Sequence, residues 1–397
     1  MKFSCNILSF KKAIQIVEKS VQSKSSLPVL ENIYFELKNN QLTCRGNDME
    51  IGIETSVEIQ DQEGEGCFLI KARTISNIFS KLNMERVHFE VLQDYKVIIK
   101  AENIMYELLG YSPDEYPEFP AIELNQHFMM NAQQLKEMIR YTLFSVSSEE
   151  TKQFLNGILL KNESDSLIFV STDGYRLSLK KHHRPSNSMT YQVILPQKTM
   201  TELYKILQHQ ELNSDIGIVF QDSQVVFYKK DFKMVSRVIQ GKFPDYNQVI
   251  PSEIQYSYQI SRRNLLDAFE RSSIVASESS DIIRLYFSNQ DVQITANAVG
   301  MGDFKESVSV NKIMESPDVK VAFNVKLFIE GLKVIESDDL LLSFNSEVSP
   351  CKIQPVGDDQ YVYIIMPIRT SDFNHQTHKS QEAVVSTTWL NDNQVLG

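Results

Sequence analysis

Apolar residues recur at i, i+3, i+4 and i+7 in six stretches of the chain, and between these stretches the pattern switches to alternation with a period of two. The six stretches predict amphipathic helices of two kinds. Helices of the first kind are SFKKAIQIVEKSV from Ser9, AQQLKEMIRYTLFS from Ala132 and SRRNLLDAFERSSIV from Ser261, each preceded by a short alternating strand. Those of the second kind are KARTISNIFSKL from Lys71, QKTMTELYKILQ from Gln197 and NVKLFIEGLKVI from Asn324, each following a short apolar strand, CFLI, YQVILP or VKVAF. Runs such as NIYFELKNNQLTCRG, VHFEVLQDYKVIIK, IGIVFQDSQVVFYK and IIRLYFSNQDVQITA alternate about Asn-, Asp-, Gln- and Gly-containing turns, which predicts antiparallel meanders.

The second helices start 126 and 127 residues apart, so one unit of about 125 residues is written three times. Each unit is predicted to be an α+β domain, with two helices covering the apolar face of antiparallel sheets. The expected boundaries are residues 1–120, 128–247 and 248–370. Tyr111-Ser-Pro-Asp-Glu-Tyr116-Pro117 and Lys242-Phe-Pro-Asp-Tyr246 read as short, stiff linkers. Residues 371–397 are polar and read as a disordered extension, though they carry Ala383-Val384-Val385 and Trp389-Leu390.

Composition narrows the class. A chain of 397 residues with 42% hydrophobic and 23% charged residues is globular and long enough for two or three domains. The first residues carry charges every few positions, which argues against a signal peptide or membrane span and for a cytoplasmic protein. Cys5, Cys44, Cys67 and Cys351 are scattered without metal-ligand spacing, so reduced, mostly buried thiols and no metal are expected.

A net charge of −11 argues against a nucleic-acid partner until its distribution is considered. The six helical stretches together carry +9, so the rest of the chain holds −20. If the units join edge to edge in an arc with their helices inward, Arg73, Lys136, Arg140 and Lys198 contribute to a basic lining behind an acidic outer face. A three-unit arc leaves an exposed edge at each end, and head-to-tail pairing of two copies would cover both.

Five segments then carry a specific resemblance: Leu27-Pro28-Val29-Leu30-Glu31-Asn32, Phe154-Leu155-Asn156-Gly157, Thr172-Asp173-Gly174-Tyr175-Arg176-Leu177, Gly241-Lys242-Phe243-Pro244-Asp245-Tyr246 and Met366-Pro367-Ile368-Arg369. In order and approximate spacing they resemble the signature segments of the bacterial DNA sliding clamps, the beta subunits of DNA polymerase III. The resemblance spans residues 1 to about 370. It implies three clamp domains per chain, a head-to-tail homodimeric ring around duplex DNA held without regard to sequence, and no catalysis or cofactor. It also implies docking of the polymerase III alpha subunit, a clamp loader complex, and other polymerases and repair proteins through short linear motifs.

Carried over segment by segment, the resemblance places a hydrophobic peptide cleft at Leu155, Thr172, Gly174, Tyr175, Arg176, Leu177, Pro244, Val249, Ile364, Ile365, Met366, Pro367, Ile368 and Arg369. Arg176 and Arg369 would hold polar groups of the peptide. DNA-contacting positions would include Lys24 and, in a second loop, Lys152, Gln153 and Phe154. Glu149 and Glu150 in that loop depart from the pattern, since carboxylates repel phosphates. The dimer contact would pack Tyr106 and Leu108 against Ile274 and Val275.

Two other readings compete with this one. An enzyme would need chemistry that is missing from the motifs: there is no GxGxxG, P-loop, HExxH or GxSxG, His182-His183 falls in a polar stretch beside Arg184-Pro185, and Asp173 has no partner carboxylate by spacing. A specialised paralogue that keeps the clamp fold without loading onto DNA is the other, and Glu149 and the C-terminal extension speak for it.

Overall fold

A computed structural model describes residues 1–370 except 23, 121–126, 184–189, 209–213 and 222. The expectation for residues 371–397 lies outside the described residues. Among the described residues six α-helices form where the 3.6-residue pattern places them: α1 (Ile7–Val17), α2 (Ala72–Lys81), α3 (Ala132–Leu143), α4 (Gln197–Gln208), α5 (Arg262–Ala276) and α6 (Val325–Val334). Four of them begin with one device. The last residue of the preceding strand turns its side chain onto the first-turn amides, which lack helical partners. Asn6 accepts from Ser9 N at 3.1 Å, Asn131 from Gln133 N at 2.9 Å, Ser261 from Asn264 N at 3.4 Å and Asn324 from Lys326 N at 3.0 Å.

The chain divides into two compact units, residues 1–136 with 201–238, and residues 137–200 with those from 239 onward. In the first unit a five-stranded sheet runs in the order Gln60–Glu63, Lys2–Asn6, Arg86–Val91, Lys96–Ala101, Ile104–Leu109. An eight-stranded sheet runs in the order His127–Asn131, Asp215–Gln221, Gln224–Lys229, Phe232–Arg237, Ile51–Glu58, Gln41–Asn47, Asn32–Lys38, Gly66–Lys71. Helices α1 and α2 pack on each other and on these sheets, and Phe10 links the layers, its ring 4.4 Å from Phe79, 5.1 Å from Phe89 and 6.0 Å from Phe35. Aromatic clusters of this kind, here with tilted and stacked pairs, hold large buried areas in fixed geometry.

The second unit repeats the plan. Its nine-stranded sheet runs Tyr191–Pro196, Gly157–Asn162, Ser166–Thr172, Arg176–His183, Tyr361–Ile365, Cys351–Pro355, Asp339–Phe344, Tyr256–Ser261, Asn311–Lys312. Its four-stranded sheet runs Gly302–Ser309, Asp291–Ala298, Ile282–Phe287, Val319–Asn324. Helices α5 and α6 pack together through Phe269 and Phe328, 5.0 Å apart between ring centres.

The two large sheets are continuous across the predicted linkers. In the first unit Ile51–Glu58 pairs antiparallel with Phe232–Arg237, far along the chain; in the second Arg176–His183 pairs with Tyr361–Ile365. These two strand pairings are the first and second joints of the chain. Each linker begins by pairing onto an edge strand of the same unit, Tyr111 with Leu69 and Ile239 with Ile194. His182 and His183, expected in a polar loop, instead end the strand Arg176–His183 opposite Leu167 and Ser166. Buried Cys5 and Cys351 have thiols pushed up to about 12 by desolvation, and Cys44, buried as well, is pushed higher, so all three are inert.

Candidate functional site

At the second joint strand alternation decides which of the expected residues meet. Leu177 lies opposite Ile364, and both enter one apolar cluster with Leu155, Val249, Phe243, Tyr246 and Val362. Pro244 is buried beside them in the linker. Phe243, Tyr246 and Val362 were not expected there, although the first two lie inside a quoted segment. Ile365 departs from the expectation. It follows Ile364 in the same strand, so its side chain points through the sheet to the core beneath, among Tyr363, Leu342 and Phe328. Phe154, which the resemblance places near DNA, is half-buried and packs on this same cluster.

The wall of the site is the hairpin turn after Ser166–Thr172. Asp173 Oδ1 accepts from the amides of Tyr175 and Arg176 at 2.9 and 3.0 Å, Thr172 Oγ1 accepts from Gly174 N at 3.1 Å and donates to Arg176 O at 2.6 Å. Gly174 takes φ +93°, where a side chain would be strained. The turn thereby lifts Tyr175, 58% exposed, to the rim. Across from it Met366 N donates to Tyr175 O at 2.9 Å and Ile368 N to Ala322 O at 2.8 Å. These two bonds fix Met366, Pro367 and Ile368 as half-buried rim residues, with Arg369 exposed at the end.

Arg176 does not take the expected role. It is only 8% exposed. Its Nε donates to Asp173 at 3.0 Å, Nη2 to Phe144 O at 2.8 Å and Nη1 to Glu330, and its guanidinium lies 5.3 Å from the Phe144 ring centre. Burial opposes the charge, but Tyr363, Glu330 and Asp173 more than offset it and hold the pKa above its ordinary value. With each of its three nitrogens bonded within its own chain, Arg176 braces the turn from below.

The expected DNA-facing positions differ in exposure. Lys24 and Arg73 are exposed, as are Gln153 and Lys198; Lys136 is half-buried. Arg140 is paired with Glu336 at 2.5 Å and lies 4.9 Å from the Tyr141 ring centre, and Lys152 is paired with Glu149 at 3.5 Å. Arg73 and Lys71 border a hollow of about 690 Å³ beside the start of α2. Of the expected dimer residues, Tyr106 and Leu108 are half-buried in the edge strand Ile104–Leu109, whose Leu109 is 78% exposed. Ile274 on α5 is 62% exposed and lines a hollow of about 490 Å³ with Met301 and Ile329; Val275 is half-buried against the core. Among the described residues no helix is long and apolar enough to cross a membrane, and no His, Cys, Asp or Glu cluster has the makings of a metal site.

Comparison with known proteins gives one answer along the chain. Models of the DNA polymerase III beta subunit match residues 1–120 with its N-terminal domain, 129–245 with its central domain and 247–369 with its C-terminal domain. The beta sliding clamp of Bacillus subtilis is 31% identical over 381 residues, 93% of this chain and all of the relative; that of Synechococcus elongatus is 30% identical over 376 residues, 93% and 99% of the two chains. The crystal structure of the B. subtilis DNA polymerase sliding clamp superposes with a TM-score of 0.87 at 29% identity, over 93% of this chain and 99% of that one. The Pseudomonas aeruginosa sliding clamp bound to griselimycin superposes with a TM-score of 0.88 at 27% identity, over 93% and 100%. Three domain matches in tandem, full-length relatives and a shared three-domain fold place this chain in the DNA polymerase III beta subunit family, the beta sliding clamps.

Proposed function

We propose that two copies of this chain close head to tail into a ring around duplex DNA, and that the second joint of each copy is the cleft where partner proteins dock. The observation that carries the docking role is the second joint itself: a buried aliphatic floor of Leu155, Leu177, Val249 and Ile364 under a rim of exposed Tyr175, half-buried Met366 and Pro367 and exposed Arg369. Such a surface suits the apolar side chains of a short linear motif, with a rim that orients it. The partners would be the polymerase III alpha subunit, the clamp loader, and other polymerases and repair proteins, in the cytoplasm. No catalytic role is assigned. The domain limits 1–120, 128–247 and 248–370 would be those of the three clamp modules.

Ring closure would use the edge strand Ile104–Leu109 with Tyr106 and Leu108 on one copy, and Ile274 and Val275 on the other. The edge strand and the exposed Ile274 and Met301 support this, because a monomer gains nothing by keeping such apolar surface in water. Exposed Lys24, Arg73 and Lys198 would line the hole as weak, sequence-blind phosphate contacts.

The test combines sedimentation with retention on DNA. Wild type is expected to sediment as a dimer and, once loaded by a clamp loader with ATP, to stay on closed circular DNA in salt that abolishes simple binding. Linearising the circle should release it. Replacing Ile274 and Val275 with Asp should yield folded monomers that are not retained, since an unpaired charge at a dry contact costs several kcal/mol, roughly 3–5. A dimeric double mutant, or retention that survives linearisation, would defeat this reading.

A further inference from the structure

The two joints share a backbone frame. At the first, Gly52 lies opposite Val235 and Ile51 opposite Ser236; at the second, Leu177 lies opposite Ile364 and Arg176 opposite Ile365. The turns match as well. Asp48 Oδ1 accepts from the amides of Glu50 and Ile51 at 3.0 and 2.8 Å, as Asp173 does from Tyr175 and Arg176, and Met49 takes φ +73° where Gly174 takes +93°. Each linker carries an apolar residue three positions beyond its tyrosine: Phe119 after Tyr116, and Val249 after Tyr246.

What differs is the filling. At the second joint a leucine and a valine share the floor. At the first these positions hold Gly52 and Phe119, and the Phe119 ring lies over the glycine and packs on Val219, Val226 and Val235. Gly52 is not required by its backbone, for it sits inside a paired strand and is absent from the positive-φ positions. It suits the ring: a Cβ there would stand 3.0 Å from Phe119 Cε2, so the ring would have to give by a few tenths of an ångström. Beside the ring lies a groove of about 160 Å³, bordered by Met49, Pro117, Pro120 and Arg237.

We propose that Phe119 is a built-in plug: the first joint has the frame of a docking cleft, and the chain's own phenylalanine fills it, so that partner peptides are confined to one site per chain. The proposal rests on the reading of the second joint as a peptide cleft. Phe119 is thus a specificity-determining residue that acts by occupying a site, and Gly52 is the space made for it.

The experiment titrates full-length protein with a synthetic peptide bearing a glutamine followed by leucine and phenylalanine, and reads stoichiometry by calorimetry together with the methyl NMR signals of Val226 and Val235. The variants are Phe119→Ala, which removes the plug, Phe119→Leu, which keeps most of the filling, and Gly52→Leu with Phe119→Val, which installs the second joint's pair of residues. Wild type and Phe119→Leu are expected to bind one peptide per chain with the two valines unmoved. The double variant, and Phe119→Ala if it folds, are expected to bind a second peptide, at least tenfold more weakly than the first, with both valine signals shifted. A folded double variant that still binds one peptide with unmoved valines overturns the plug, and so does a wild type that binds two. A wild type that binds none defeats the cleft reading instead.

Discussion

The two joints are the same piece of backbone held closed in two ways. At the first, polar closure is central: Glu54, in the strand Ile51–Glu58, takes Arg45 Nε at 2.6 Å and Lys233 Nζ at 3.0 Å, the lysine reaching across from Phe232–Arg237. At the second, the charges stand below and at the end of the strand pair. Arg176 braces the turn through Asp173 and Glu330, and Lys180 bridges Glu137 and Asp358, both at 3.3 Å. The apolar faces are inverted too, with an aromatic ring plugging one and aliphatic side chains flooring the other. An internal repeat can therefore copy a site's frame without copying the site. On the plug proposal, which copy is usable is set by a few side chains, here Gly52 and Phe119 against Leu177 and Val249.

The comparison is broken most strongly at Arg176. Replacing it with Ala leaves Asp173 and the Phe144 carbonyl without their common donor, while Glu330, half exposed, turns to water. The expected cost is about 1–3 kcal/mol, read as a lower urea midpoint for loss of structure in the second unit. Peptide affinity should fall as well, because the Thr172-Gly174 turn loses its brace. A midpoint within the error of wild type would mean that the turn is held by Asp173 and Thr172 alone.

Next in size is the cleft floor and rim. Truncating Leu177 and Met366 to Ala together should weaken peptide binding by roughly 1 kcal/mol or more each, and should leave the first joint's Val226 and Val235 signals untouched. Unchanged affinity would move docking elsewhere.

These expectations show how far the sequence was legible. Periodicity located the six helices of the described residues, and the Asn and Ser caps explain why four of them start where a strand stops. The cleft floor was legible through the quoted segments, which contain Leu155 and Leu177 and lie beside Val249 and Ile364. The period of two already forbids Ile364 and Ile365 from facing the same cluster, so that correction was available in advance. The inward turn of Arg176 was not: its partner Glu330 lies 154 positions away, and no local spacing reports such a pairing. Phe119 was hidden for the same reason. Its importance depends on Gly52 lying beneath it, and only the matched distances from Tyr116 and Tyr246 hinted at its counterpart Val249.

The polar closure of the first joint has a pH signature. Burial pushes the Glu54 carboxyl up, but Arg45 and Lys233 outweigh this and hold it below its usual 4.5. A carboxylate depressed in the folded state contributes stability that is fully present above its unfolded value and disappears as pH falls through its folded one. The difference in unfolding free energy between wild type and Glu54→Gln, of order 1 kcal/mol at neutral pH, should therefore shrink as acid is added below pH 4.5 and vanish once both states are protonated. A difference that stays constant through that range would assign the effect to packing.

The smallest expected effect concerns two loops that the repeat makes equivalent. Leu27-Pro28-Val29-Leu30 in the first unit corresponds to Lys152-Gln153-Phe154-Leu155 in the second, each with a one-turn 3₁₀ helix, and each runs into a strand, Asn32–Lys38 or Gly157–Asn162. Three residues before each segment the charges are opposite: Lys24 in the first, Glu149 in the second. Lys24 is exposed, whereas Glu149 holds Lys152 at 3.5 Å and neutralises the lysine that the loop would offer to a phosphate. If each loop borders the DNA, removing the positive charge in Lys24→Ala should lower the slope of log affinity against log salt by about one, the share of a single phosphate contact on duplex DNA. Glu149→Gln should raise it by less, because Lys152 is half-buried and is also anchored through its backbone, where Leu155 N donates to Lys152 O at 2.8 Å. Titrating a fluorescent duplex at several salt concentrations resolves slopes of this size. Equal slopes for wild type and both variants would place the two loops away from the DNA and leave the contacts to the helices.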